Sequence, residues 1–340
     1  MKKLVLVFVG VLTFSFAEAQ QDRHFSMFFA NPVLTNPGAA GHGLGTFQLF
    51  TNFRTQWFTL SNQSFRSFSA SFDSRILDKA IDNGFIGLGA NMINDVSGDG
   101  KYTVNVIQIP LNYTLEIGEN SYLSLGLQPG MYMQTLNEDA LYFDSQWTGA
   151  GFDPGLSSGE SLGAFNVSRF DLGAGIYYNA FLKDNFNLQL GVGGLHLTGQ
   201  KISFYNISEN LYRHFNFQGI AHIWPENQNL SFHPAIYGQA QGPNFEIIVG
   251  NNFEYALKPV SQHTGFYDGM ALSFGLYYRV GDAIIGNIIY KAGPLAFGVS
   301  YDANLSGLSP ATNGVGAVEA FLRFNPSIKP KFGTPSLGRF

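Results

Sequence analysis

The sequence predicts an all-β protein, a transmembrane antiparallel β-barrel of about 14 strands with long extracellular loops. Three observations indicate this fold. Apolar and polar residues alternate over stretches of roughly ten residues. Charged residues make up only 13% of the chain, against about 25% in soluble globular proteins. Beyond the N-terminus, the chain has none of the runs of ~20 apolar residues that form transmembrane helices.

The clearest alternation lies at 122–134, where odd positions are apolar and even positions are small or polar and uncharged. Since successive side chains of a strand point to opposite faces, one face of this strand is apolar and the other is polar. The pattern recurs at 166–179, 268–280 and 294–302 with no charge on the apolar row. Arg or Lys on that row would cost about 2–4 kcal/mol at the bilayer midplane.

Most of the predicted strands are about 10–13 residues long, which suits tilted strands that cross a bilayer. An even strand number places both termini in the periplasm, and the long connections, chiefly 136–165, 198–210 and 303–313, then become outer loops. The predicted strands are 46–56, 64–75, 84–94, 102–115, 121–134, 166–179, 185–197, 211–223, 229–241, 243–255, 268–280, 283–291, 294–302 and 314–324.

Two of these strands change the phase of their apolar row. Val104 and Val106 fall on even numbers, whereas the apolar residues that follow fall on odd numbers. The second change occurs before Leu195, across Gly193 and Gly194. A change of phase by one residue predicts a β-bulge at each place.

A targeting segment precedes the barrel. Lys2 and Lys3 are followed by an apolar run over 4–16 and by Ala17-Glu18-Ala19, which has the small-x-small pattern of signal-peptide cleavage sites. We therefore divide the chain into a signal peptide, an irregular N-terminal segment, the barrel and a periplasmic tail, over 1–19, 20–45, 46–324 and 325–340.

The irregular segment 20–45 combines prolines with large apolar side chains. Asn31-Pro32 and Asn36-Pro37 bias it away from regular helix. Several Phe, Met, Val and Leu residues between positions 25 and 34 make it too apolar for a disordered leader. We expect this segment to lie in the barrel lumen.

Motifs for catalysis or metal binding are weak. The chain has no Cys and therefore neither disulfides nor thiolate metal sites. Residues 155–159 match the G-x-S-x-G spacing of hydrolases, but they lie in a Gly-rich loop without a following helix. The seven histidines lack zinc-binding spacing, and 94–100 lacks the closing Glu of an EF-hand. We predict no enzyme activity, no cofactor and no catalytic or metal-binding residues.

Candidate partner-binding residues lie in the outer loops and in the tail. Loops on a rigid scaffold are common recognition sites, and the tail is basic and punctuated by proline. A net charge of −5 without any Lys/Arg run argues against nucleic acid as a partner. The candidates are Phe152, Asp153, Pro154, Glu160, Asn304, Asn313, Lys329 and Lys331.

A series of short runs, in order along nearly the whole mature chain, resembles the PorP/SprF family of outer-membrane proteins of the type IX secretion system. The runs are His24-Phe25-Ser26, Asn31-Pro32, Asn36-Pro37, Arg54-Thr55-Gln56-Trp57, 68–73, Asn94-Asp95, 98–101, Gly151-Phe152-Asp153-Pro154, 281–285, 298–304 with Leu308, and Ala311-Thr312-Asn313-Gly314.

The resemblance implies a non-enzymatic barrel in the outer membrane of a Gram-negative bacterium. Such a barrel helps secrete or retain surface proteins, and SprF-like members serve large adhesins in gliding bacteria. The implied partners are periplasmic ring components and the translocon of the type IX secretion system, secreted cargo proteins and outer-membrane lipid. The alternative is a FadL-like or porin-like channel for small solutes. A lipid hydrolase of the outer membrane is a third, weaker reading, since no Ser–His constellation is visible.

Overall fold

The computed structural model describes residues 22–43, 45–59, 64–77, 81–98, 100–137, 140–159, 166–204, 210–226, 228–258, 269–307 and 309–326. These residues form a closed antiparallel β-barrel of 14 strands, which confirms the predicted fold class. The predicted signal peptide and nearly all of the tail lie outside the described residues.

Fifteen strand segments make up the barrel, because two of them are halves of one strand. Their bounds lie within a few residues of the predicted ones. The segments are β1 Phe47–Gln56, β2 Phe65–Ile76, β3 Gly84–Ser97, β4 Tyr102–Gln108, β5 Leu111–Gly118, β6 Ser121–Thr135, β7 Asn166–Lys183, β8 Phe186–Leu195, β9 His214–Ile223, β10 Leu230–Gln241, β11 Asn244–Lys258, β12 Met270–Arg279, β13 Ala283–Ala292, β14 Leu295–Asn304 and β15 Val315–Phe324.

Pro110 divides the split strand into β4 and β5, which both pair with β3 on one side and β6 on the other. Proline has no N–H to donate to a sheet. The neighbouring groups still pair across the gap, because Gly89 donates to the Pro110 carbonyl at 2.8 Å and Ile109 donates to the Pro129 carbonyl at 2.9 Å. The barrel wall is therefore continuous through the break.

Consecutive strands are antiparallel neighbours, and β15 closes the barrel by pairing with β1. This up-and-down order gives the barrel two different rims. The start of β1 and the end of β15 lie at one rim, which we call the terminal end. The connections after β1, β3, β6, β8, β10, β12 and β14 lie at the opposite rim, which we call the loop end.

The two faces of the wall differ as the alternation predicts. In β6, Leu125 is 60% exposed on the outside, whereas its neighbour Ser124 is fully buried on the inside. Large apolar side chains cover the outer face of the other strands in the same way, for example Leu276 and Phe297. An apolar outer face is what a barrel presents to lipid.

The two predicted β-bulges are wrong. Pairing runs without a register shift through β4 and through Gly193 and Gly194 of β8. The apolar side chains that suggest a phase change, Val104, Val106 and Leu195, point into the lumen and are buried there. The inner row becomes apolar at these positions because it faces other apolar residues inside the barrel.

Helical structure in the described residues is limited to single turns. Three lie in the N-terminal segment, at Phe28–Ala30, Pro32–Leu34 and Pro37–Ala39, and the last two begin at the prolines of the two Asn-Pro pairs. Across all the described residues, no helix has the length and apolarity needed to cross a bilayer.

Candidate functional site in the barrel lumen

The lumen contains the chain's own residues 22–43, which we call the lumen segment. At the loop end Asp22 accepts a hydrogen bond from His196, which directly follows β8. At the terminal end Gly41 donates to Asp73 near the end of β2 at 2.9 Å. The segment therefore runs the length of the barrel, from the loop end to the start of β1. This confirms its predicted place in the lumen.

The barrel wall has glycines where the lumen segment comes closest. A Cβ atom on Gly126 would lie 2.4 Å from the Gly38 nitrogen, and one on Gly87 would lie 2.1 Å from the Ala40 carbonyl oxygen. No side chain fits at such distances. The small residues on the polar face of these strands are therefore explained by the close approach of the segment.

Amide side chains on the inner face of the wall donate hydrogen bonds to the backbone of the lumen segment. The Asn112 amide lies within 3.1 Å of the carbonyls of Pro37, Gly38 and Ala40. Asn216 donates to the Thr35 carbonyl at 3.0 Å. An irregular backbone has few partners of its own, so these amides supply the hydrogen bonds that a buried segment requires.

Aromatic stacking anchors the segment between these polar contacts. Phe28 stacks on Tyr237 with ring centroids 5.1 Å apart, and Phe29 stacks on Tyr277 at the same centroid distance. Aromatic pairs of this kind contribute about 0.5–1.5 kcal/mol beyond the burial of their area. The apolar residues that distinguish the segment from a disordered leader thus have partners in the wall.

Ser26, near the loop end, is bound through both its backbone and its side chain. Its backbone N–H donates to one oxygen of the Glu319 carboxylate at 2.7 Å, and the N–H of Met27 donates to the other oxygen at 3.1 Å. Asn52 also donates to Glu319, at 3.0 Å. One buried carboxylate therefore binds two successive backbone amides of the segment.

The Ser26 hydroxyl has three charged partners. It donates to Asp302 at 2.7 Å and accepts from Arg54 at 2.6 Å and from Arg279 at 2.8 Å. All of these side chains are buried. We call the four charged residues around Ser26 the loop-end cage, which consists of Arg54, Arg279, Asp302 and Glu319.

Ion pairs hold the loop-end cage together. Arg54 lies 2.9 Å from Asp302 and 3.2 Å from Glu319, and Arg279 lies 3.1 Å from Asp302. Burying charges is expensive, and removing one member of a buried pair costs about 3–5 kcal/mol because its partner loses its compensation. Well-packed apolar residues would stabilise the barrel at least as well. The four charges of the cage therefore compensate one another only while all of them are present.

A second cluster holds the first described residue of the segment. The two ring nitrogens of His196 lie 2.8 Å from Asp22 and 2.8 Å from Asp171, and His214 lies 3.0 Å from Asp22. Burial by itself lowers the pKa of His196, but the two carboxylates outweigh it and raise that pKa to about 9. His196 is therefore charged at neutral pH and links the segment to β7.

The opposite end of the segment contains an uncharged histidine. Burial, aided by the nearby Arg75 cation, lowers the pKa of His42 to about 3. Its ring lies 2.6 Å from the Ser124 hydroxyl and 3.3 Å from the Asn179 amide. The segment is thus held by a charged histidine, His196, at the loop end and by a neutral histidine, His42, at the terminal end.

The loop between β6 and β7 carries three of the predicted partner-binding residues. Phe152 is 48% exposed and packs against Trp147, with ring centroids 5.1 Å apart. Asp153 and Pro154 are exposed beside it, and the Asp153 carboxylate accepts from the Gly155 amide at 2.9 Å.

The remaining predicted residues are more scattered. Asn304, at the loop end of β14, is buried and donates to the Val315 carbonyl at 3.4 Å, whereas Asn313 is exposed in the turn before β15. Glu160, Lys329 and Lys331 lie outside the described residues. The structure therefore brings Phe152, Asp153 and Pro154 together but does not group them with the other candidates.

Sequence reasoning did not identify the loop-end cage as a site. Its four members come from β1, β12, β14 and β15 and are far apart in the sequence. One signal was available, because Arg54, Arg279 and Asp302 are charges on the polar row of otherwise uncharged strands.

Across the described residues, no group of three or more His, Asp or Glu side chains is arranged to hold a metal ion.

Comparison with known proteins identifies the family. The sequence pattern of the family described as "Type IX secretion system membrane protein PorP/SprF" matches residues 17–324. The chain belongs to the PorP/SprF family. This family resides in the outer membrane and acts in type IX secretion, and it is not an enzyme family. No curated protein matches the chain at a significant level.

Among solved structures, the CymD monoaromatic hydrocarbon channel has a TM-score of 0.50 at 10% identity, with 91% of this chain and 95% of that chain covered. The Ralstonia pickettii toluene transporter TbuX has a TM-score of 0.47 at 11% identity, covering 87% of this chain and 93% of that chain. A Pseudomonas aeruginosa FadL homologue has a TM-score of 0.44 at 10% identity, covering 86% of this chain and 98% of that chain. At such identities, the likeness to CymD supports the barrel fold alone.

Proposed function

We propose that this PorP/SprF barrel is an SprF-like accessory of the type IX secretion system that helps to secrete cargo proteins, such as adhesins, or to attach them to the cell surface. The observation that carries the proposal is the filled lumen of a barrel from a secretion family. Residues 22–43 run the length of the lumen, and several of their side chains are buried in clusters with side chains of the wall. A barrel of this kind is better suited to holding a partner than to conducting.

The outer loops are the proposed contact with cargo or translocon, through Phe152, Asp153, Pro154, Glu160, Asn304 and Asn313. Hydrogen bonds within residues 140–159, the described part of the loop between β6 and β7, support this role. Ser145 donates to the Ser158 carbonyl at 2.6 Å and Gln146 donates to the Leu156 carbonyl at 3.1 Å. Exposed aromatic residues on a loop are typical of binding surfaces.

The periplasmic rim is the proposed contact with the ring components, through the short turns and through Lys329 and Lys331 of the tail. The basic character of the tail supports this role, since it would favour an acidic partner surface. The two rims of the barrel would then link the periplasmic machine to cargo outside the cell.

Gene deletion tests the proposed function. We expect cells without this barrel to lose at least one cargo protein from the surface, and the wild-type gene to restore it. A Phe152→Ala gene should restore less cargo than a Val280→Ala gene, whose exposed apolar residue lies in a different connection at the same rim. Normal surface display of every cargo protein in the deletion strain would refute the proposal.

A small-solute channel is the alternative function, and the filled lumen argues against it. CymD, which shares the barrel fold, is a monoaromatic hydrocarbon channel, but the likeness at 10% identity extends to the fold alone. For this chain to conduct, residues 22–43 would have to leave the lumen.

A further inference from the structure

We propose that the loop-end cage is a binding site for an extended peptide that carries a hydroxyl side chain. The chain's own Ser26 occupies this site, and a segment of an exported partner protein replaces it. The identity of that partner rests on the proposed function, whereas the peptide site itself rests on geometry alone.

The cage recognises features that any extended peptide can present. Glu319 binds two successive backbone N–H groups, a contact that needs no particular side chain. Specificity comes from the hydroxyl of Ser26, which both donates to Asp302 and accepts from Arg54. Of the neutral side chains, Ser and Thr can make both contacts with one small group.

The resident segment leaves part of the site unmatched. The Nε atom of Arg54, the Oδ1 atom of Asp302 and the Oδ1 atom of Asn52 are buried and make no hydrogen bond within the described part of the chain. An unsatisfied buried donor or acceptor carries a desolvation cost. A peptide with additional polar groups at these positions could therefore bind more tightly than the resident segment does.

The position of the cage favours access through the loop-end rim of the barrel. Arg54, Arg279 and Asp302 lie within a few residues of the loop-end termini of their strands. A cavity beside the cage separates the lumen segment from the wall, and its lining includes Phe25 and Asn52. A peptide that enters from the loop end would need to displace only the first residues of the segment, because the anchors from Asn31 onward lie deeper in the barrel.

The test uses the full-length protein in detergent and a fluorescent peptide with the sequence of residues 22–28. In an exchange variant, residues 22–28 are replaced by seven Gly residues, which removes the hydroxyl from the cage and retains the deeper anchors. We expect the peptide to bind this variant at least about tenfold more tightly than the wild type, whose site is already occupied.

Two matched controls define the contacts. A peptide in which Ser26 is replaced by Leu should bind the exchange variant at least about tenfold more weakly, because Leu cannot pair with the charged side chains. Adding Glu319→Gln to the exchange variant should cause a comparable loss, because each backbone N–H donates to a different carboxylate oxygen and Gln replaces one of these oxygens with an NH2 donor. A Ser26→Leu protein, which keeps the full segment, provides a second host should the exchange variant not fold.

The proposed peptide site is wrong if a folded exchange variant or Ser26→Leu protein does not bind the peptide. It is also wrong if either protein binds the Ser and Leu peptides equally. The partner is tested separately in cells. If the peptide binds in vitro but a folded Glu319→Gln barrel displays cargo at the wild-type level, the exported partner is wrong and the peptide site stands. A deletion strain with normal secretion would refute the proposed function and leave the binding result unaffected.

Discussion

The backbone N–H of Ser26 donates a 2.7 Å hydrogen bond to Glu319, although the two residues are 293 positions apart in the sequence. This contact links the lumen segment to β15, the strand that closes the barrel against β1. The segment and the closure of the wall therefore stabilise each other. The barrel is best understood as a wall built around its own N-terminal segment.

The glycines of the wall lie so close to the lumen segment that replacing one of them by alanine should destabilise the barrel. Gly126→Ala would place a methyl group 2.4 Å from the Gly38 nitrogen, so the segment must move. We expect a loss of about 1–3 kcal/mol, the usual cost of overpacking, measured as a lower thermal unfolding temperature in detergent. Gly286→Ala is the control, because nothing lies within 4 Å of its added Cβ. Equal unfolding temperatures for the two variants would contradict the fit.

Asn112 should be needed for its amide hydrogens rather than for its size. Asn112→Leu leaves the carbonyls of Pro37, Gly38 and Ala40 without this donor. Losing a buried hydrogen-bond partner costs about 1–3 kcal/mol, and chemical denaturation should detect it. Asn166→Leu at the exposed start of β7 is the control. If Asn112→Leu proves as stable as that control, the amide does not hold the segment.

The charge on His196 predicts a loss of stability at alkaline pH. Its pKa rises from an ordinary value of 6.5 to about 9 in the folded protein. A histidine with a raised pKa stabilises the fold fully below its unfolded value, and this stabilisation is lost as the pH rises through the folded value. We therefore expect the unfolding temperature to fall between pH 6.5 and about 9.

The His196→Gln variant is the control for that pH dependence, because Gln carries no proton that titrates in this range. The variant should be less stable at neutral pH and should lose most of the alkaline slope. An unchanged slope would show that another group is responsible.

The filled lumen predicts a closed barrel in planar bilayers. The full-length protein should show no stable conductance, whereas a variant lacking residues 22–43 should conduct, because the wall then encloses an empty pore. Steady conductance by the full-length protein would support the channel alternative instead.

The sequence predicts the strands well because lipid outside and polar groups inside impose a strict alternation. That alternation misleads only where the inner row is apolar, as at Val106 and Leu195. Val106 belongs to a buried cluster that includes Met27 of the lumen segment, and Leu195 lines a cavity beside the same segment. Their inward orientation cannot be deduced without knowing that the lumen is filled.

The sequence also indicates the segment but not its partners. The apolar residues and Asn-Pro pairs of 20–45 predict an irregular stretch inside the barrel, and Asn36 does cap a turn by accepting from the Gly38 amide. The pairing of Ser26 with Glu319 depends on which strands meet when the barrel closes. The distance between Ser26 and Glu319 along the sequence does not show that the two residues are in contact.

Thiol labelling tests the central claim most directly, since the chain has no Cys of its own. Ala30 lies in the lumen segment at 3% exposure, and Tyr142 lies in the loop between β6 and β7 at 67%. With a membrane-impermeant maleimide on intact cells, Tyr142→Cys should label rapidly and Ala30→Cys should label only after denaturation. Equal labelling of the two positions in the native barrel would contradict a lumen occupied by residues 22–43.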